Sequence, residues 1–97
     1  MFYEIKFKTE ALIELEEVTA YQRAIIIDAI EKNLHYEPTT PSRNRKIMGR
    51  TGRALEIGAT WELRVDKFRV YYDVGPGAVV VIRVVEKGRN TTDRSLS

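Results

Sequence analysis

Residues 61–73 read Trp61-Glu62-Leu63-Arg64-Val65-Asp66-Lys67-Phe68-Arg69-Val70-Tyr71-Tyr72-Asp73. Trp61, Leu63 and Val65 alternate with Glu62, Arg64 and Asp66, and Phe68, Val70 and Tyr72 alternate with Arg69, Tyr71 and Asp73. A period of two rich in aromatic and β-branched residues predicts two half-buried strands, with Asp66-Lys67 as the tight turn between them. If the two pair across that turn, Arg64 and Arg69 can share one side of the sheet. Register decides this, because a slip of one residue sends a side chain to the other face.

Toward the C-terminus, Gly75-Pro76-Gly77 is a second turn signal. Ala78 to Val85 is a nearly continuous β-branched run, broken by Arg83, and predicts a central strand buried on both faces. These elements make a three-strand meander. Ala54-Leu55-Glu56-Ile57-Gly58 is either a further short strand or a turn. From Gly88 to Ser97 the chain is polar, and 89–97 reads as a flexible tail.

Toward the N-terminus, Tyr3, Ile5 and Phe7 alternate with Phe2, Glu4 and Lys6, predicting a strand almost at the first residue. Thr9 is positioned to cap a helix with Glu10 in its first turn and Leu12, Leu15 and Val18 on its inner side. Thr19-Ala20-Tyr21-Gln22 fits a T-x-x-Q capping box. Tyr21, Ile25, Ile26, Ala29, Ile30 and Leu34 recur at helical spacing, so a second helix runs to about Leu34. His35 reads as a helix-end residue. Pro38 and Pro41 end the helical region. Between Pro38 and Arg53 lie Arg43, Arg45, Lys46, Arg50 and Arg53 with no acid, which is either a solvated connection or an electrostatic footprint for phosphates.

The expected architecture is therefore α+β in a single domain over residues 1–97. An N-terminal strand and a two-helix hairpin pack on an antiparallel sheet completed by a C-terminal three-strand meander.

Composition narrows the chemistry. With 97 residues and no cysteine, disulfides, thiolate metal sites and cysteine nucleophiles are excluded. His35 is the only histidine, so no histidine-rich metal cluster can form, and no cofactor is expected. No apolar run approaches the roughly 20 residues of a membrane span, and the alternating N-terminus is not a signal peptide, which reads as a cytoplasmic protein without a membrane partner. The net charge of +2 hides an acidic first part, −4 over residues 1–37, and a basic remainder, +6 over residues 38–97. Such asymmetry hints at an anionic partner.

The hairpin at 61–73, the opening Tyr3-Glu4-Ile5-Lys6-Phe7 with Thr9-Glu10-Ala11-Leu12, and the valine-rich strand ending at Lys87 and Arg89 together resemble the RelE/ParE superfamily of toxins from bacterial type II toxin–antitoxin systems. The resemblance spans residues 2 to 89. It implies a RelE-like fold and a cognate antitoxin that wraps the toxin as an extended helical segment. It also implies one of two activities: RelE-like members cleave messenger RNA on the ribosome, and ParE-like members inhibit DNA gyrase. The favoured expectation is a metal-independent, ribosome-dependent endoribonuclease that inhibits translation. The alternatives are a ParE-like gyrase inhibitor and a catalytically inactive binding protein.

A metal-free ribonuclease needs a base for the ribose 2′-OH, cations for the pentacoordinate phosphate and an acid for the leaving oxygen. By the resemblance, Arg69 contacts the scissile phosphate while Arg64 and Arg89 complete the cationic site. The planar arginine fork suits that role. Glu62 is either the base or an ordinary ion-pair partner, and the bland reading of Arg69 is a strand arginine paired with Glu62 or Asp73. Arg43, Arg45, Lys46, Arg50, Arg53 and Lys87 form the expected RNA-binding set. Two departures stand against the nuclease. The region after Arg89 lacks the tyrosine or histidine such enzymes carry, and Glu62 stands where many have lysine. Tyr71 or Tyr72 would stack on a base only if exposed, and Trp61 reads as a packing anchor.

Overall fold

The computed structural model describes residues 2–48 and 56–87. Its elements are β1 (Glu4–Phe7), α1 (Thr9–Glu17), α2 (Ala20–Leu34), β2 (Arg45–Ile47), β3 (Trp61–Val65), β4 (Phe68–Gly75) and β5 (Ala78–Glu86). One five-stranded sheet has the order β1-β5-β4-β3-β2. The meander β3-β4-β5 is antiparallel as expected, and β2 adds antiparallel to β3. β1 runs parallel to β5, with Glu4 opposite Ala78, so the sheet is mixed rather than wholly antiparallel. A strand that leaves through a two-helix crossover and meets its partner only after the whole meander can take this orientation.

The alternation in residues 61–73 decides the layering. Trp61, Leu63, Val65, Phe68, Val70 and Tyr72 are buried against Val79, Val81 and Val84, and the helices close this face through Ala11, Leu15, Ile26, Ile30 and Leu34. At β5 the phase changes. Tyr71 pairs with Arg83 but Tyr72 pairs with Val81, leaving Ile82 as the extra residue of a bulge. Strict alternation from Val79 and Val81 would carry Arg83 into the core. The bulge turns Val84 inward instead and Arg83 to the opposite face. β5 is central in the sheet, but among the described residues the helices close only one face; Val80, Ile82 and Arg83 stay half-buried.

Two helix details differ from expectation. The N-cap of α1 is Lys8 and has no side-chain cap, so Thr9 is the first helical residue rather than the cap. The buried side of α1 is Ala11 and Leu15, with Leu12 exposed, and on α2 Tyr21 is also exposed. The capping box is present in full. Gln22 N–H donates to Thr19 Oγ1 at 3.1 Å, and Thr19 N–H to Gln22 Oε1 at 3.3 Å. Glu14 of α1 accepts the Val84 N–H at 2.7 Å and two bonds from the Arg83 guanidinium, joining the helix to the bulge.

The basic connection is not loose throughout. Residues 45–47 form the edge strand β2, and Arg45 points inward, 8% exposed. Its Nε donates to the Thr40 carbonyl and its Nη1 to Asn33 Oδ1, at 2.8 and 2.9 Å. The segment after α2 is thereby pinned to the helix end.

Candidate functional site

The face of the sheet opposite the helices carries the polar positions of the hairpin. Arg64 and Arg69 are directly opposed across β3 and β4, Glu62 lies opposite Tyr71, and Lys46 of β2 lies opposite Glu62. The Asp66-Lys67 turn sets this register. Asp66 adopts φ 55°, a left-handed conformation that aspartate tolerates better than most residues. Like charges directly opposite on paired strands repel, and the two arginines part accordingly. Arg64 is exposed. Arg69 folds back, with a side chain only 12% exposed: its Nη1 donates to the carbonyls of Asp66 and Phe68 at 3.0 and 2.9 Å, and its Nε stands 3.6 Å from Glu62 Oε2.

Glu62 is held on both oxygens. Its Oε1 lies 3.6 Å from Lys46 Nζ, and its side chain is 11% exposed. The result is a ladder, Lys46–Glu62–Arg69, running across three strands. Tyr71 is buried beside this ladder, as is Tyr72 on the other face, so neither offers a flat surface for a base.

The structure brings Lys46, Glu62, Arg64 and Arg69 together. Arg43 and Lys87 are exposed elsewhere at the same end of the sheet: Arg43 precedes Asn44, whose carbonyl accepts the Arg64 N–H, and the Lys87 N–H donates to Lys67 O. Arg45 does not belong with them, since its guanidinium is spent inside the fold on Thr40 and Asn33. Arg50, Arg53 and Arg89 lie outside the described residues. Sequence reasoning does not single out Arg83 for the site, yet it shares the polar face through its pairing with Tyr71. The only signal for it is a lone charge inside a valine-rich run. Its hydrogen bond to Glu14 outweighs its partial burial and raises its pKa further.

The model of the family described as ParE toxin of type II toxin–antitoxin system, parDE, matches residues 5–91. No curated protein matches the sequence. Among solved structures, the RelBE2 toxin–antitoxin complex from Mycobacterium tuberculosis is similar over 90% of this chain and 100% of that one, with TM-score 0.72 and 24% identity. The archaeal RelE–RelB complex from Pyrococcus horikoshii is similar over 92% of this chain and 99% of that one, with TM-score 0.70 and 18% identity. At such identities these likenesses carry the fold. The family match covers both flanks of the sheet and the whole polar hairpin, and the chain belongs to the ParE toxin family of type II toxin–antitoxin systems.

Proposed function

We propose that this toxin acts by holding its target rather than by cutting RNA, that the target is DNA gyrase as for ParE-like members, and that a cognate antitoxin neutralises it in the cytoplasm. The observation that carries this reading is the Lys46–Glu62–Arg69 ladder. A phosphate-binding arginine needs open donors, yet Arg69 has given its Nη1 to two carbonyls and is ion-paired through its Nε with Glu62 at 3.6 Å. A general base needs an accessible lone pair, yet Glu62 is flanked by cations on both oxygens. Freeing either would leave a nearly buried charge without its partner, which is costly. An antitoxin partner is supported by the two similar structures, both of which are toxin–antitoxin complexes.

The ribosome-dependent endoribonuclease is the second reading, and one observation favours it: Arg64 and Arg69 face each other on one side of the sheet. An RNA phosphate lying between them would draw Arg69 from Glu62, with Arg89 completing the cations. Arg43, Lys46 and Lys87, together with Arg50 and Arg53, would then hold ribosomal RNA through salt-sensitive contacts.

Induced expression of wild type, Arg64→Ala and Arg69→Ala separates the two, with messenger-RNA ends and plasmid supercoiling read in the same cells. We expect altered supercoiling with intact messages in the wild type. New messenger-RNA ends at ribosome-occupied codons, lost in Arg69→Ala, would instead establish the nuclease.

A further inference from the structure

The outer edge of the sheet at β1 carries a second surface, at the opposite side of the sheet from β2. Among the described residues, β1 has β5 on one side and no strand on the other. Glu4 N–H donates to Gly77 O and Lys8 N–H to Val81 O, so the even-numbered residues turn their backbone groups toward β5. The odd-numbered ones, Tyr3, Ile5 and Phe7, turn theirs outward. His35, just after α2, already occupies Tyr3: the Tyr3 N–H donates to His35 O, and His35 Nδ1 lies 2.9 Å from Tyr3 O. Ile5 and Phe7 remain, each with an N–H and a carbonyl directed away from β5. Beside them a groove of about 360 Å³ opens between β1 and α2, lined by Ile5, Phe7, Ile27, Ile30 and Phe2, with Glu31 at its rim. After Lys8 the chain turns into α1, which packs on β5 rather than over this edge.

We propose that this edge pairs with the same edge of a second copy, antiparallel about a two-fold axis at Lys6. This register answers all four open groups and leaves the His35 clasp intact: Ile5 exchanges both hydrogen bonds with Phe7 of the second copy, and Phe7 with its Ile5. Charge follows. Glu4 falls opposite Lys8 in both halves of the pair, and each Lys6 has the second copy's Glu4 on its diagonal, which offsets the approach of the two Lys6 side chains. On the helix side, Ile5 and Phe7 of one copy extend the apolar lining of the groove in the other. The alternative register centred on Ile5 would match Glu4 with Lys6, but it needs the Tyr3 groups that His35 holds. Self-pairing of this kind makes an isologous interface and closes at two copies. It does not depend on what the toxin poisons, because the polar hairpin lies toward the other side of the sheet.

The chain has no cysteine, so single introduced cysteines report the register without background. Residues opposed at a non-hydrogen-bonded position approach to roughly 4.5 Å between Cα atoms, within the roughly 4.4–6.8 Å a disulfide spans. Lys6→Cys should therefore cross-link to a dimer under mild oxidation many-fold faster than Glu4→Cys, whose counterpart is Lys8. Light scattering of the unmodified protein should rise with concentration from 11.2 kDa toward twice that mass. Ile5→Pro removes an outward N–H but no bond to β5, and it should hold the protein monomeric with an unchanged circular-dichroism spectrum; if that variant fails to fold, the cysteine pair still decides. Equal cross-linking of Lys6→Cys and Glu4→Cys, or a mass fixed at the monomer value throughout, overturns the proposal. So does a monomeric Lys6→Cys whose thiol is shielded only when an antitoxin is co-expressed, since the edge would then accept a different strand.

Discussion

Tyr72 shows how one side chain ties the polar connection to the core. It is fully buried, stacks on Trp61 with centroids 6.3 Å apart, and donates its hydroxyl to the Pro38 carbonyl. Burial raises its pKa well above the usual phenol range, and the nearby Arg45 charge opposes this only in part. A raised native pKa favours the protonated form, so the contribution to stability is complete below about pH 10, the unfolded value, and fades as pH rises through the native one. Denaturant midpoints measured between pH 8 and 11 should be flat and then fall. Tyr72→Phe should remove this share of the alkaline loss while lowering neutral-pH stability by about 1–2 kcal/mol, the cost of an unsatisfied buried carbonyl. Arg45 offers the complementary test. Arg45→Ala strands Asn33 and the Thr40 carbonyl, and should destabilise by about 2 kcal/mol while leaving toxicity per folded molecule unchanged. In the sequence Arg45 and Lys46 are indistinguishable neighbours in a basic run. Only pairing with β3 sends one inward and the other to Glu62, and that register is not written in composition. Arg64 and Arg69 are legible as facing residues because a two-residue turn fixes their phase. Their different fates are not, since they follow from mutual repulsion and from carbonyls that exist only once the turn is made.

Among the elements, α2 and β5 mark the two ends of what local sequence can specify. The α2 start is local: Thr19 and Gln22 satisfy each other's backbone donors within one turn. Thr19→Ala should cost about 1 kcal/mol, seen as a lower thermal midpoint, and Thr19→Ser should restore most of it. β5 is governed from outside. Its valines suggest burial on both faces, but the bulge at Ile82 and the clasp of Glu14 on Val84 N–H and Arg83 fix which residues face the core. Deleting Ile82 closes the bulge: Arg83 then follows Val81 directly and keeps its outward place, and Val84 keeps the inward one. The expected result is a chain that still folds cooperatively, judged by a retained denaturation transition. Ile82→Ala, which trims the side chain but keeps the position, should retain that transition, because the bulge requires an extra residue more than a particular one. β2 is hard to read from sequence for a related reason: three residues at an edge, two of them basic, carry too little periodicity to separate from a connection, and they become a strand only because β3 supplies the template.

For the whole molecule, the pairing of β1 with β5 has a consequence in time. Glu4 meets Ala78, 78 − 4 = 74 positions later in the chain, so the first strand made is among the last to find its neighbour. Contacts of such separation carry a large loop-closure cost before any return, and sheets closed this way fold slowly. Stopped-flow refolding should show a single slow phase, slowed further by Val79→Ala and left nearly unchanged by Thr19→Ala. During synthesis, a chain that has emerged only through β4 holds its helices over a sheet that lacks the strand between β1 and β4, with Glu14 missing its partners Arg83 and Val84 and β1 detached. The polar hairpin is then unsupported. A ribosome that stalls before β5 therefore releases a fragment without a formed site, and the poison becomes active only when translation has passed almost the whole domain.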